Sequence, residues 1–255
     1  MYQAITFFDL DGTLLDEHSQ VTPDISEAML QLRKNKILPI IATGRSEAEI
    51  QEIKQAANID SSVTMNGMLA KVGQTIVQSK KIDPLLCKRL MGFAKHQEEE
   101  VAFLSEDNVY ISGLSEYVKQ SYAHFNLQIP DVHSSAYEED PTNMMLVLSD
   151  KNDHQYQKAF PELTFYRNGP FCIDVVNAGV TKGHGVNAIK EFLGYQDIPT
   201  FAFGDGINDL GLFDSCDTKI AMGNGLPEVL ECADYVTAKN TENGIIKALM
   251  KFNLL

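Results

Sequence analysis

The chain has 255 residues, enough to bury a large core as one big domain or two modest ones. Its 44% hydrophobic and 22% charged content is that of a soluble globular protein, and no stretch approaches the ~18–20 continuous apolar residues of a membrane span. A net charge of −14 argues against nucleic acid or an anionic membrane as the main partner, yet leaves room for a small anionic substrate held by a local positive field.

The N-terminal "MYQAITFF" has neither a basic region nor a cleavage pattern, so no signal peptide is expected. Cys87, Cys172, Cys216 and Cys232 are scattered without C-x-x-C spacing, which suits reduced thiols in a cytoplasmic protein. "AITFF" (4–8) is a short apolar run that predicts a strand buried on both faces. Thr22 and Pro23 read as N-cap and first residue of a helix, with Ile25, Ala28, Met29 and Leu32 at helical spacing and Asn35 as its stop. "ILPIIATG" (37–44) is the second strand, and Ser46 with Glu49 forms a capping box for a helix running to about Ala57. "SVTMNG" (62–67) reads as a third strand, and 69–78 as a hairpin turning near Gly73.

The middle departs from this rhythm. Helices are expected near 84–97, 115–125 and 152–159, with strands near 101–105, 109–112, 144–149, 163–167 and 171–176. From 181 the strand–helix alternation resumes and runs to the closing helix "NGIIKALMKF". The pattern predicts an α/β fold: a doubly wound, Rossmann-like parallel sheet formed by 1–81 and 179–255, with an inserted α+β cap over 82–178.

In such a sheet, ligands gather at the carboxyl ends of the strands. Four stretches fall at predicted strand ends or helix starts: "DLDGT" (9–13), "TGR" (43–45), "KG" (182–183) and "GDGIND" (204–209). Extended chain advances ~3.3 Å per residue, so Asp9 and Asp11 stand roughly 6.6 Å apart on one side of the backbone. Two ionised carboxylates in a drying cleft repel unless a cation lies between them or one is protonated. An EF-hand loop fails the spacing, because Gly12 falls at loop position 4 and Gln20 at position 12. Asp205 with Asp9 makes a hard oxygen set suited to Mg²⁺. Thr43 and Gly44 offer a hydroxyl and N–H groups to phosphate oxygens. Lys182 lies in the first turn of a helix, where the dipole disfavours a cation, and a role facing a bound anion accounts for it. Together the parts match phosphoryl transfer: a carboxylate nucleophile, a metal, donors for the phosphoryl oxygens, and a second Asp as acid and base.

The four stretches, in this order, resemble the haloacid dehalogenase-like superfamily, and most closely its Cof-type sugar-phosphatase branch with a large α/β cap. The resemblance implies that Asp9 is phosphorylated and that Asp11 is the general acid/base, its backbone carbonyl also reaching the magnesium. Asp205 becomes a further metal ligand, and Thr43, Gly44, Lys182, Asn208 and the backbone N–H of Leu10 hold the phosphoryl group. Asp209 is expected to orient the metal shell or Lys182. The cap carries no such signature, and Arg45, Asn66 and Asn177 are expected at the rim facing the substrate. His184 is expected on a helix surface.

The expected protein is therefore a cytoplasmic, Mg²⁺-dependent phosphatase of small phosphorylated metabolites, with sugar phosphates as the class the resemblance implies. A phosphomutase on the same core and a non-catalytic phosphate-binding protein are the alternatives. The oligomeric state is not legible in the sequence.

Overall fold

The computed structural model describes residues 2–125, 127–150, 153–195 and 197–255. The chain divides into two compact units, Met1–Gln78 with Thr181–Leu255, and Ser79–Val180. The division falls after Gln78 instead of residue 81, and before Thr181 instead of residue 179. The buried Asn143 explains the first difference: its amide donates to Ser79 Oγ (3.0 Å) and the Lys80 carbonyl (2.8 Å), and its Oδ1 accepts from Lys81 Nζ (2.8 Å). At the second crossing, the Ala178 N–H bonds back to the Glu162 carbonyl at 2.9 Å.

The first unit opens with β1 (Ala4–Phe8), every residue of which is buried. Helix α1 (Pro23–Lys34) follows, capped by the Thr22 hydroxyl, which accepts from the Ile25 N–H. Next come β2 (Ile37–Ala42), α2 (Gln51–Ala57), β3 (Ser61–Thr64), β4 (Leu69–Val72) and β5 (Thr75–Ser79). The Ser46–Glu49 capping box is present, although a 3₁₀ turn at Ala48–Ile50 precedes α2. The strand expected over 62–67 stops at Thr64, because Met65, Asn66 and Gly67 all take left-handed backbone, with φ of 51, 52 and 95°.

The second unit contains α3 (Pro84–His96), β6 (Glu100–Leu104), β7 (Val109–Ile111), α4 (Glu116–His124), α5 (Ala136–Glu139), β8 (Met144–Leu148), α6 (Asp153–Ala159), β9 (Leu163–Arg167) and β10 (Ile173–Asn177). Its sheet runs β7-β6-β8-β10-β9 with every pairing antiparallel. Residue 152, where a helix was expected to start, lies outside the described residues. Short α5 carries no sequence periodicity of its own and was not foreseen; it buries Ala136 and Tyr137.

The chain then returns to the first unit with α7 (Lys182–Leu193), β11 (Thr200–Gly204), α8 (Leu210–Phe213), β12 (Thr218–Ala221), α9 (Pro227–Cys232), β13 (Tyr235–Val236) and α10 (Gly244–Lys251). The eight strands of this unit lie in the order β13-β12-β11-β1-β2-β3-β4-β5, parallel from β13 through β3. The antiparallel β3–β4 pair ends the parallel run. Strand order reverses at β1: β2 and β3 extend one way, β11 to β13 the other.

Alternation along β1 feeds two cores. Phe8 joins Met29 and Leu32 of α1 and Leu249 of α10 on one face, while Ile5 and Phe7 join Val186 and Ile189 of α7 on the other. Burying each such side chain stabilises the fold by roughly 2 kcal/mol. Among the described residues no helix is long and apolar enough to cross a membrane.

At the amino ends of β11 and β12, the Thr200 N–H and hydroxyl both donate to Asp217 Oδ2 (2.8 and 2.7 Å), and the Asp217 N–H donates back to Thr200 Oγ1 (2.9 Å). The Thr200 hydroxyl, with its backbone N–H, holds the Asp217 carboxyl below its ordinary range. A lowered folded pKa means that the native state binds fewer protons than the unfolded chain. The stabilisation is therefore present above the unfolded pKa and lost as pH falls through the folded one. Asp217→Asn should lower Tm at pH 7, and the gap from wild type should close as pH drops below about 4 in thermal scans.

Candidate active site

The site is built where the sheet reverses direction. Asp9 directly follows β1, and its N–H is held by the Phe203 carbonyl of neighbouring β11 at 3.0 Å. The following residues fold into a tight turn, with Leu14 N–H bonded to the Asp9 carbonyl and Leu15 N–H to that of Leu10. Gly12 permits this turn: its φ is +81°, and a Cβ there would sit 2.3 Å from Asp205 Oδ2. The first and last stretches thus meet at van der Waals distance.

Lys182 joins them. Its side chain is 0% exposed, and Nζ donates to Asp9 Oδ1 (2.5 Å) and Asp209 Oδ1 (2.7 Å). Asp209 turns its other oxygen inward to accept the N–H groups of Asp205 (2.9 Å) and Gly206 (3.0 Å). Asp209 therefore shapes the 205–209 turn and orients the lysine. His184 is exposed, and its Nδ1 accepts the Thr181 N–H at the start of α7.

Ligand oxygens of Asp9, Asp205 and Asp209 lie within 4.8 Å of one another. Three carboxylates around one ammonium leave two negative charges uncompensated. Burial pushes the Asp9 carboxyl well above its ordinary range, and Asp209, Asp205 and Asp11 add to the rise against the opposing pull of Lys182. Burial, with Asp209 close by, raises Asp205 to about 6. Burial disfavours the Lys182 charge, but Asp209 and Asp9 outweigh it and hold the ammonium above its ordinary range. Hard oxygen donors with a two-charge deficit fit a divalent cation, and Asp9 and Asp205 are the carboxylates with the fewest internal bonds to give up.

The other expected residues divide into two groups. Thr43 is buried, its N–H bonded to the Val63 carbonyl and its Oγ1 accepting the Arg45 N–H, so the β2 end is a tight turn at the site. Gly44 is buried beside it, and Leu10 is fully buried directly after Asp9. Asn208 is half-buried and donates through Nδ2 to Asn66 Oδ1 at 3.1 Å.

The rim expectations fare differently. Arg45 clasps Asp11 in a two-point ion pair, Nε to Oδ2 at 2.9 Å and Nη2 to Oδ1 at 2.5 Å, so its guanidinium faces a carboxylate of the same unit. Burial opposes the Arg45 charge, but the bonds to Asp11 raise it above the ordinary arginine value. Asn66 is only 1% exposed and lies beneath Asn208 instead of on a rim. Asn177 belongs to the second unit, where its Nδ2 donates to the Lys81 carbonyl at 2.9 Å.

Two contributors escaped the sequence reading. The Thr13 hydroxyl donates to Asp205 Oδ1 at 3.0 Å, and Asn224 Nδ2 donates to the Gly12 carbonyl at 2.8 Å and reaches Asp205 Oδ2 at 3.4 Å. The "GNG" at 223–225, just past β12, was the available signal, being another small-residue turn at a parallel strand end.

An acidic cluster round a buried lysine, at the switch point of a doubly wound sheet, marks the class of hydrolases built on strand-end aspartates. A model of the haloacid dehalogenase-like hydrolase family matches residues 6–249, and the chain belongs to that family. YkrA of Bacillus subtilis (strain 168) is 27% identical over 256 residues, covering 100% of both chains. A solved structure from Geobacillus kaustophilus HTA426 superposes with a TM-score of 0.92 at 28% identity, covering 100% of each chain. The structure of BT4131, described as a HAD subclass IIB sugar phosphatase, gives 0.88 at 28% identity, covering 99% of this chain and 100% of that one.

Replacing Lys182 by Met keeps the volume but strands Asp9 and Asp209 without their cation. Urea unfolding of the metal-free Lys182→Met protein should show a loss of about 3 kcal/mol, and a divalent cation should restore a larger share of stability in the variant than it adds to wild type.

Proposed function

We propose that this protein is a Mg²⁺-dependent phosphatase that hydrolyses phosphate monoesters of small metabolites, phosphorylated sugars among them, through an aspartyl-phosphate on Asp9. The observation that carries this reading is the convergence of Asp9, Asp205 and Asp209 on Lys182 at the strand ends. The likeness to BT4131, a sugar phosphatase by its description, supports the substrate class. All four cysteines are free thiols, which supports a reducing cytoplasm as the compartment.

In the proposed reaction, an Asp9 carboxylate oxygen attacks phosphorus and the ester P–O bond breaks. The leaving alkoxide takes a proton from Asp11. A water then attacks the phosphorus of the aspartyl-phosphate, giving its proton to Asp11, and Asp9 is regenerated as inorganic phosphate departs. Asp11 suits exchange with a leaving group and with water because its side chain is 54% exposed, in contrast to the buried Asp9. The Arg45 clasp sets the direction of the Asp11 carboxylate. Lys182, the Thr43 hydroxyl and the Asn208 amide are the groups assigned to the phosphoryl oxygens. Asp9 and Asp205, with the Asp11 carbonyl, would hold Mg²⁺, which when bound neutralises phosphoryl charge as a Lewis acid.

Hydrolysis of p-nitrophenyl phosphate tests this directly. Wild type should release phosphate with Mg²⁺ and lose activity in EDTA, and Asp9→Asn should fall by about 10³-fold or more. Equal turnover by the two proteins removes the nucleophile assignment.

A further inference from the structure

The turn after β3 is shaped against its own local preferences. Met65, Asn66 and Gly67 take φ of 51, 52 and 95° in succession. Left-handed backbone is unstrained for glycine and tolerated by asparagine, but for methionine it costs roughly 1 kcal/mol or more. The connection it makes, from Thr64 of β3 to its antiparallel partner Leu69 of β4, spans four residues, and such loops are commonly built on a type I turn without this strain. Strain of this kind persists where surrounding structure imposes it, and it concentrates at functional sites.

What the turn touches is specific. The Met65 N–H donates to the Arg45 carbonyl (3.0 Å) and the Asn66 N–H to the Thr43 carbonyl (3.1 Å), fastening the turn to the β2 end. Gly67 lies against the start of α7 so closely that a Cβ would stand 2.1 Å from the Thr181 carbonyl oxygen, one residue before Lys182. The Asn66 side chain, buried to 1% exposure, accepts the Asn208 amide N–H at 3.1 Å. One strained turn therefore braces all three segments that carry Thr43, Lys182 and Asn208.

An amide buried this deeply is costly unless its polar atoms are bonded, so an apolar residue would serve a purely packing role better. The carbonyl oxygen of Asn66 demands a donor from Asn208. It thereby fixes the Asn208 amide plane and selects which end points down. The remaining N–H then projects from a fixed plane, and a phosphoryl oxygen requires a donor of that kind.

We infer that Asn66 is a positioning residue for phosphoryl binding, acting through Asn208 and never touching substrate; the inference rests on the proposed phosphatase function. Asn66→Gly tests the role, because glycine keeps the left-handed backbone while removing the side-chain acceptor. The inhibition constant for inorganic phosphate should rise roughly tenfold, with Tm shifted by no more than a few degrees. In an Asn208→Ala background the same change should add nothing, since the oriented amide is already gone.

An unchanged phosphate constant in Asn66→Gly, or the same added loss in both backgrounds, overturns the inference while leaving the phosphatase reading in place. A fall in Tm without weakened phosphate inhibition also overturns it, by assigning Asn66 to the fold alone. If wild type itself neither turns over p-nitrophenyl phosphate nor responds to inorganic phosphate, the functional reading fails, and this inference with it.

Discussion

One buried ammonium organises the site. Lys182 has no solvent exposure, and a lone charge in that position would be strongly disfavoured. It is stable because Asp9 just past β1 and Asp209 from the turn after β11 each accept a hydrogen bond from it. The pairing forces three segments distant in sequence to close on one point. Asp209 extends the constraint, since its second oxygen holds the N–H groups of Asp205 and Gly206 and so presents Asp205 beside Asp9. Burial, together with the excess of carboxylates over ammonium, raises Asp9 and Asp205, and a divalent cation would meet that electrostatic demand.

The scaffold makes this convergence inexpensive. Parallel strands deliver their carboxyl ends to one edge of the sheet, and the reversal at β1 opens a crevice there between neighbouring turns. Within that edge, Asp205 is held from two sides. Thr13 from the β1 turn takes Oδ1, while Asn224 from the β12 turn approaches Oδ2 and also binds the Gly12 carbonyl. Asn240, past β13, continues the chain by donating its N–H to Asn224 Oδ1 and its amide to the Leu15 carbonyl. A carboxylate oriented in this way would need little rearrangement to hold a cation.

Much of this architecture was legible in the chain. The apolar run at 4–8 announced a strand buried on both faces, 37–44 announced a second strand, Thr22–Pro23 announced a helix start, and four stretches stood at strand ends or helix starts. Local pattern could not express what depends on distant partners. Lys182 read as a charge misplaced in a first helical turn, and only Asp9 and Asp209, 173 and 27 positions away, make it a buried residue. Arg45 read as a rim residue because its partner, Asp11, lies 34 positions back. Asn66 was placed within the strand "SVTMNG"; Asn-Gly suits left-handed backbone, but nothing local signals it at Met65, where the contacts imposing the turn come from Arg45, Thr43 and Thr181.

The two aspartates of "DLDGT" illustrate how a turn divides similar side chains into different environments. Asp9 directly follows a fully buried strand and shares its lysine with another acid, so its charge depends on what else enters the site. Two residues later, just before the chain turns at Gly12, Asp11 faces outward into the grip of Arg45. The division suits the roles proposed for them, a nucleophile that stays inside the site and an acid and base that meets a leaving group and then a water. One carboxylate thus lies inside and the other half outside, and Gly12, with a φ of +81°, lets the chain fold back against Asp205 directly after them.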